Sequence, residues 1–516
     1  MADRRFILAI DLGTSGPKVA LVGDDGSLIG SEFEPTDLIL TPDGGAEQDP
    51  SEWWSAIAAA TRRTVTAHPE AEIAAVCVTA QWSGTVAVGR DGDAIGNAII
   101  WMDSRGAPQV ADLIGGPVRF QGYDPRKARK WIQVTGGAPS GAGKDPIAHI
   151  LWLRDNRPEV FRDTHVFLEP KDYVNLELTG EPTATFDSIA LHWLTDNRDP
   201  YSIDYSDELL SYTGLDRGVL PDLYPATATI GHVTPTAAES LGIPPGLPVL
   251  GGTPDVHSAA IGSGTTADLA GSLYVGTSSW ITCHVPYKKT DLIHNIASLP
   301  AAIPGRYLVA NEQETAGKAV EWLSNILFPD NPDRASVYNR MNDIAGTVRP
   351  GSGGVIFTPW LYGERTPVED ANLRGGFFNQ SLETGRAEMI RGVFEGVAYN
   401  ARWLLATVER FTRSRLDPIV MAGGGAHSSG WAQIFADVLG RTIHQTADPI
   451  MVNVRGAGLL GHAALDNISW SDIPGLVPIA EVHQPNTANE GVYDRLYDAF
   501  RRIHKTNRRT YNKLNG

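Results

Sequence analysis

One pattern occurs twice in this chain and limits what it can fold into: an apolar run closing on Gly-Thr-Ser, first from Ala9 to Ser15 and again from Leu273 to Ser278. Between the copies, from Val249 to Gly264, an apolar strand end leads into Gly251-Gly252-Thr253-Pro254-Asp255 and then a small-residue helix start through Ser258, Ala259 and Ala260. In such a turn glycine lets the backbone approach an anion, while the amides and the Thr14 and Ser15 hydroxyls donate to phosphate oxygens. Two halves, each with a phosphate-sized turn, and one carboxylate between them describe a cleft enzyme that moves phosphate.

Around the first copy, Phe6 to Ile10 reads as a buried strand, Gly13 to Gly16 as a tight turn, Lys18 to Val22 as a second strand, and Asp24-Asp25-Gly26 as the next hairpin turn. Asp11, at the strand end, is placed to hold Mg²⁺ through water. A plain hairpin is the alternative for one copy alone. The second copy, at Gly276-Thr277-Ser278, weighs against it.

Composition narrows the function classes. With 516 residues the chain is long enough for two or three domains, and 43 basic against 60 acidic side chains leave a net charge of −17, a field that gives a nucleic-acid partner no help. Cys77 and Cys283 are far apart and without Cys-x-x-Cys or His-rich neighbours, so neither a disulfide framework nor a zinc site is indicated and a reduced cytoplasm fits. Arg4 and Arg5 before Phe6 to Ile10 superficially resemble a signal peptide, but Asp11 and Gly13 end the apolar run too early. No apolar run is long enough to span a bilayer, so no membrane partner is expected.

Further along, Asp49-Pro50-Ser51-Glu52 reads as a helix start, with an Asp cap, Pro at the first helical position and Glu closing a capping box; the helix runs to about His68. Ile73 to Thr79 is the next strand, and its end delivers Gln81, Trp82, Ser83 and Gly84; Trp101, Asp103 and Arg105 follow a second apolar run from Ile99. Polar and aromatic groups at the carboxyl ends of strands are where open α/β sheets keep ligands. For each Trp, packing is the alternative; for Asp103 beside Arg105, a salt bridge that shapes the loop.

Gly137 to Asp145 imitates a Walker A loop, but Ala138 stands where Gly is required and Asp145 replaces the hydroxyl, so it is rejected. Ile147 to Arg154 and Lys171 to Thr179 read as helices, and prolines from Pro221 to Pro248 mark an irregular section. In the second half, Ala310 to Leu323 is a loop into a helix, Gly351 to Thr358 a strand, Met389 to Phe411 a long amphipathic helix, and Ile419 to Ala422 a strand opening onto Gly423-Gly424-Gly425-Ala426 before a helix at Trp431 to Leu439. Side-chain-free backbone there makes a floor for a nucleotide, or simply a packing turn. Gly456 to Leu465 is another small-residue helix, and the last helix, with Arg501, Arg502, Lys505, Arg508 and Arg509, is a solvated face or a basic contact surface.

Taken in order, Asp11-Leu12-Gly13-Thr14-Ser15-Gly16, Trp101-Met102-Asp103-Ser104-Arg105, Gly251 to Asp255, Gly276-Thr277-Ser278, Gly363-Glu364-Arg365-Thr366-Pro367 and Gly423 to Ala426 resemble the FGGY carbohydrate kinases, from Phe6 to about Ala464. Pro170-Lys171-Asp172-Tyr173 is similar to the xylulokinase branch. The resemblance implies an α/β protein of two actin-like ATPase (ribonuclease H-like) domains with a cleft between them, residues 1–260 binding the sugar and 261–516 binding ATP. It makes Asp255 the general base that takes the proton from a sugar's terminal hydroxyl as it attacks the γ-phosphate, with Asp11 placing Mg²⁺. Gln81, Trp82, Trp101 and Asp103 would face the sugar or polyol. Gly13, Thr14, Ser15, Lys18, Gly276 and Thr277 would lie near the phosphates, and Gly317, Glu321, Gly424, Gly425 and Ser429 near the nucleoside. Closure of the halves would exclude water. Homodimers are frequent among such kinases, and nothing in the sequence marks an interface.

One departure bears on the substrate. Xylulokinases commonly carry Met-His after the glutamine, whereas Trp82-Ser83 follows Gln81 here, so pocket shape and polarity change and another ketose or a polyol is an alternative to xylulose. Two other activities stay open on the same residues: a sensor in which ATP moves the domains without phosphorylating sugar, and a hydrolase in which Asp255 activates water.

Overall fold

The computed structural model describes residues 5–119 and 122–516; Arg4, noted above as preceding the first strand, lies outside them. Numbering the principal elements in chain order, β1 (Arg5–Gly13) and β2 (Gly16–Gly23) form an antiparallel hairpin that β3 (Leu28–Phe33) extends. Helix α1 (Pro50–Ala67) then leads to β4 (Glu72–Ala80), parallel to β1. After α2 (Pro125–Val134), α3 (Pro146–Asn156) and α4 (Pro170–Thr179), the chain returns as β5 (Thr229–His232) and β6 (Pro248–Pro254), completing a six-stranded sheet in the order β5-β6-β4-β1-β2-β3. The section expected to be irregular therefore holds two strands, Asp222–Tyr224 and β5, and a short helix as well, Pro235–Leu241.

Helix α5 (Asp255–Gly262) follows β6 without a loop. The second half then rebuilds the first: β7 (Gly271–Val275) and β8 (Ser279–Thr282) form the hairpin, and after α6 (Gly317–Leu327) and the 27-residue α7 (Arg386–Thr412), β9 (Ile419–Ala422) lies parallel to β7. Next come α8 (Ser429–Leu439), β10 (Ile443–Thr446), α9 (Val452–Ala464), β11 (Ile479–His483) and α10 (Glu490–Asn515), with sheet order β8-β7-β9-β10-β11. The repeated Gly-Thr-Ser is thus a repeated topology: β2-β1-β4 in one sheet, β8-β7-β9 in the other.

β1 is buried along nearly its whole length, so it reads as a continuous apolar run, because both faces of its sheet are covered. Leu8 and Ile10 pack with Trp53 and Ile57 of α1; Ile7, Ala9, Ala20 and Val22 pack with Val454, Ala457 and Leu460 of α9, a helix from the second half. Ala259 of α5 and Val452 of α9 meet Trp280 and Ala422 of the second sheet, whose other face takes α7 and α8. α5 and α9 are therefore clamped between the sheets. They cross backbone to backbone: a Cβ on Gly456 would sit 1.9 Å from the Ser258 carbonyl oxygen, and one on Gly262 1.8 Å from that of Val452. Small residues in these helices are a requirement of that approach.

Local readings differ at three places. Asp49 caps α1 through the Ser51 N–H, but Glu52 does not close a capping box; its carboxylate accepts the Asp37 N–H at 3.1 and 3.2 Å, tying the preceding segment to the helix instead. The strand expected from Gly351 shrinks to Ile356–Thr358, since Gly351 and Gly353 adopt positive φ in a 3₁₀ turn. The last helix buries Tyr493, Leu496 and Phe500 in the second core, leaving its charged side, with Arg501, Arg502, Lys505, Arg508 and Arg509, solvated. Among the described residues no helix is long and apolar enough to cross a membrane.

Candidate active site

Both turns and Asp255 line one cleft of about 1610 Å³: Asp11, Gly13, Thr14, Ser15 and Lys18 from the first hairpin, Gly276, Thr277 and Ser278 from the second. Asp11 and Lys18 are cross-strand partners, and the Lys18 ammonium donates to Asp11 Oδ2 at 3.3 Å. Asp11 Oδ1 is buried with no hydrogen-bond partner among the described residues. At the matching place of the second hairpin the cross-strand pair is aromatic: Tyr274 and Trp280 stack at 4.2 Å, 2° from parallel, and both line the cleft.

Asp255 is the first residue of α5, and its Oδ1 accepts the Val256 N–H at 2.8 Å. Burial first, then the neighbouring Asp11 carboxylate, push its carboxyl up to about 7, against the Val256 bond and the Lys18 charge. A carboxyl that releases its proton near neutrality is matched to accepting one from a hydroxyl.

On the first half's side, four side chains form a chain. Trp101 Nε1 donates to Thr14 Oγ1 at 3.0 Å, Thr14 Oγ1 to Gln81 Oε1 at 3.0 Å, and Gln81 Nε2 to Gln48 Oε1 at 2.7 Å. Gln48 closes the ring by donating to the Thr14 carbonyl at 2.9 Å. Thr14, expected near the phosphates, thus has its hydroxyl committed to Gln81 and Trp101. Trp82 donates through Nε1 to the Ser188 carbonyl at 2.8 Å and meets His257 edge to face, while Ser83 Oγ donates to the Lys144 carbonyl at 2.9 Å. Gln81, Trp82 and Trp101 all line the cleft.

Asp103 does not. It is 1 % exposed, and its oxygens accept from the Ala46 N–H, the Arg105 N–H and Arg105 Nε, each at 2.9 Å. Arg105 in turn reaches Glu47 at 2.6 Å and lies over the Trp152 ring at 4.0 Å. Of the two readings of this pair, the salt bridge that shapes the loop is the one the structure bears, because both carboxylate oxygens already accept from protein donors away from the cleft.

Around the second turn, the Gly317 N–H donates to the Gly276 carbonyl at 2.8 Å and Gly425 abuts Val275. Glu321 is paired with Lys318 at 2.9 Å, and Ser429 begins α8 behind its cap, Ser428. Gly276 and Thr277 face the cleft, whereas Gly317, Glu321, Gly424, Gly425 and Ser429 are not among the residues lining it.

Three groups were not singled out by the motif reading. Gln48 precedes α1 in no recognisable pattern and is found only by its partners. The Tyr274–Trp280 pair follows from pairing the two strands across Gly276-Thr277-Ser278. Arg365, from the quoted Gly363-Glu364-Arg365 segment, pairs with Glu312 at 2.5 Å and Glu314 at 2.8 Å, and Lys144 of the first half stands 4.0 Å from Glu314.

No group of three or more His, Cys, Asp or Glu that could hold a metal occurs among the described residues. The unpartnered Asp11 oxygen fits magnesium all the same, since that ion is commonly held by one or two carboxylates with phosphate and water oxygens.

Comparison with known proteins agrees with this geometry. Models of the FGGY family of carbohydrate kinases match residues 6–262 as its N-terminal domain and 271–469 as its C-terminal domain. A xylulose kinase from Staphylococcus epidermidis is 26% identical over 97% of both chains, and a gluconokinase from Bacillus subtilis is 24% identical over 96% of this chain and 94% of its own. The crystal structure of xylulose kinase from Rhodospirillum rubrum superposes with a TM-score of 0.85 at 25% identity, covering 98% of this chain and all of that one. The two-lobed fold with a central cleft is the actin-like ATPase fold, and the chain belongs to the FGGY family of carbohydrate kinases, sugar kinases that use ATP.

Proposed function

We propose that this kinase transfers the γ-phosphoryl group of ATP to the terminal hydroxyl of a small neutral ketose or polyol, with Asp255 as general base. The observation that carries it is the Asp255 carboxyl, pushed to about 7, at the start of α5 beside Asp11 in a cleft flanked by two anion-sized turns. In this reading Asp255 takes the hydroxyl proton, the acceptor oxygen bonds to the γ-phosphorus, and the bond to the β,γ-bridging oxygen breaks to release ADP. Residues 1–260 would bind the acceptor through Gln81, Trp82 and Trp101, and residues 261–516 the nucleotide. Bound Mg²⁺ would neutralise phosphate charge. Asp11 would hold it, and Lys18 with the amides of both turns would position the phosphates.

A neutral acceptor is favoured by the pairing of four of the five Lys and Arg side chains that line the cleft; the fifth, Arg129, is exposed and forms no ion pair among the described residues. Lys18, Lys144, Arg365 and Arg508 each face a carboxylate, at 3.3, 4.0, 2.8 and 3.3 Å. An acidic sugar would have to compete for them. Xylulose is one candidate, and Trp82 with Ser83 makes other ketoses and polyols equal candidates. The test is ADP release with Mg-ATP across ketopentoses, ketohexoses, aldoses, C3 to C6 polyols and aldonates. A neutral acceptor that stimulates release sharply, with a phosphorylated product, is expected; stimulation by aldonates alone refutes the neutral-acceptor reading, and sugar-independent release refutes the kinase.

A further inference from the structure

The segment Pro170-Lys171-Asp172-Tyr173 takes no part in the chemistry above, yet its charges are fully buried on α4, at 1 % exposure for Lys171 and 0 % for Asp172. What they touch is the strand that carries the base. β6 pairs with β4 in parallel through Leu250 and resumes at Thr253, so Gly251 and Gly252 together oppose Val78. Gly252 has a φ of +70°, and a Cβ there would lie 2.0 Å from the Val78 carbonyl oxygen, so the bulge demands glycine. The Gly251 carbonyl leaves the ladder and is met by two donors one helical turn apart, Lys171 Nζ at 2.8 Å and Asn175 Nδ2 at 2.9 Å. Four residues later the chain reaches Asp255.

The same pair reaches the acceptor side. Asp172 is bonded to Lys171 and accepts from Ser188 Oγ at 2.7 Å; the Ser188 carbonyl accepts from Trp82 Nε1 at 2.8 Å. Trp82 meets His257, two residues past Asp255, with ring centroids 5.2 Å apart. The contacts therefore close a loop from Lys171 through Asp172, Ser188, Trp82 and α5 back to Gly251.

Resting on the kinase reading, we infer that Lys171 and Asp172, with Asn175, are positioning residues that hold the base Asp255 and the acceptor-side Trp82 as one unit. Neither charge touches the cleft. A bulge without its side-chain donors can slip, and a slip of β6 moves Asp255 relative to the acceptor hydroxyl, where a displacement of about 1 Å costs on the order of 100-fold in rate.

Two variants test this. Asn175→Leu removes one donor to Gly251 and also a buried Oδ1 that has no partner among the described residues, leaving the ion pair intact. Lys171→Met with Asp172→Asn removes both charges together, so neither member of the pair is left buried without the other. For each, melting temperature, the KM of ATP, the KM of acceptor, kcat and the ratio of ADP released to sugar phosphate formed are measured. The expected result is kcat lowered by roughly 10- to 100-fold with the KM of ATP within about twofold, acceptor KM raised, and a ratio rising above the wild-type value as water competes at a misplaced acceptor site. Unchanged kcat and ratio in both variants overturn the proposal, as does a kcat that falls only in step with the folded fraction at unchanged ratio. Wild-type protein in the same assay separates the two readings: if it forms no sugar phosphate, the kinase reading falls first and the positioning role with it.

Discussion

Replacing Asp255 by Asn should make the protein more stable above neutral pH while nearly abolishing turnover. The carboxyl is pushed from 3.8 to about 7 mainly because burial and the Asp11 charge disfavour its ionised form. Each unit corresponds to about 1.36 kcal/mol, so the ceiling is about 4 kcal/mol, and because the group lines an open cleft about half of that is expected. The sign follows from proton binding. Between about pH 4 and pH 7 the folded protein holds a proton that the unfolded chain has released, so this group's contribution to stability declines as pH rises through that window. The uncharged amide of the Asp255→Asn variant has no such loss. At about pH 8 the variant should melt roughly 4–8 °C above wild type, taking 2–4 °C per kcal/mol for a domain of this size, and the gap should close toward about pH 5. Loss of the base should cost about 10²- to 10⁴-fold in kcat. In wild type, kcat/KM should fall about tenfold per unit below about pH 7. Thermal melts at several pH values, run beside sugar-dependent ADP release, provide the check. A variant that melts below wild type near pH 8 refutes the burial account, and one that keeps turnover within tenfold refutes the assignment of the base.

Asp103→Asn breaks a buried pair with Arg105 and should lower stability by about 3 kcal/mol, while kcat per folded molecule stays within about twofold; a selective rise in acceptor KM would return Asp103 to the acceptor site. Gln48→Leu leaves Gln81 Nε2 without its 2.7 Å acceptor and should raise acceptor KM about tenfold with the KM of ATP unchanged, as steady-state kinetics will show. Gly456→Ala places a methyl 1.9 Å from the Ser258 carbonyl at the crossing of α5 and α9, and should cost more than about 3 kcal/mol by denaturant unfolding; a loss under about 1 kcal/mol would show that the helices separate easily. Asp11→Asn removes a like charge from beside Asp255, so the acid limb of kcat/KM should move to lower pH, while the KM of Mg-ATP rises.

The sequence by itself determined the plan of two halves. The repeated apolar run and Gly-Thr-Ser turn became two hairpins with the same third strand, because an apolar strand closing on a two- or three-residue glycine turn has few other ways to fold. It also placed Asp255 at a strand-to-helix junction between them, and the Gly-rich turns where backbone must come close. Tertiary structure decided what no local pattern carries. Whether Asp103 reads a sugar or an arginine depends on Ala46 and Glu47, which lie more than fifty residues earlier and arrive only when the sheet forms. Gln48 belongs to the site solely because Gln81 and Thr14 come to it from other strands. The sequence marks α5 and α9 as helices of small residues, but that their backbones touch through those residues follows only from the two sheets that clamp them. The proton affinity of Asp255 likewise arises from burial and from Asp11, 244 positions away in the chain and brought alongside by the sheet.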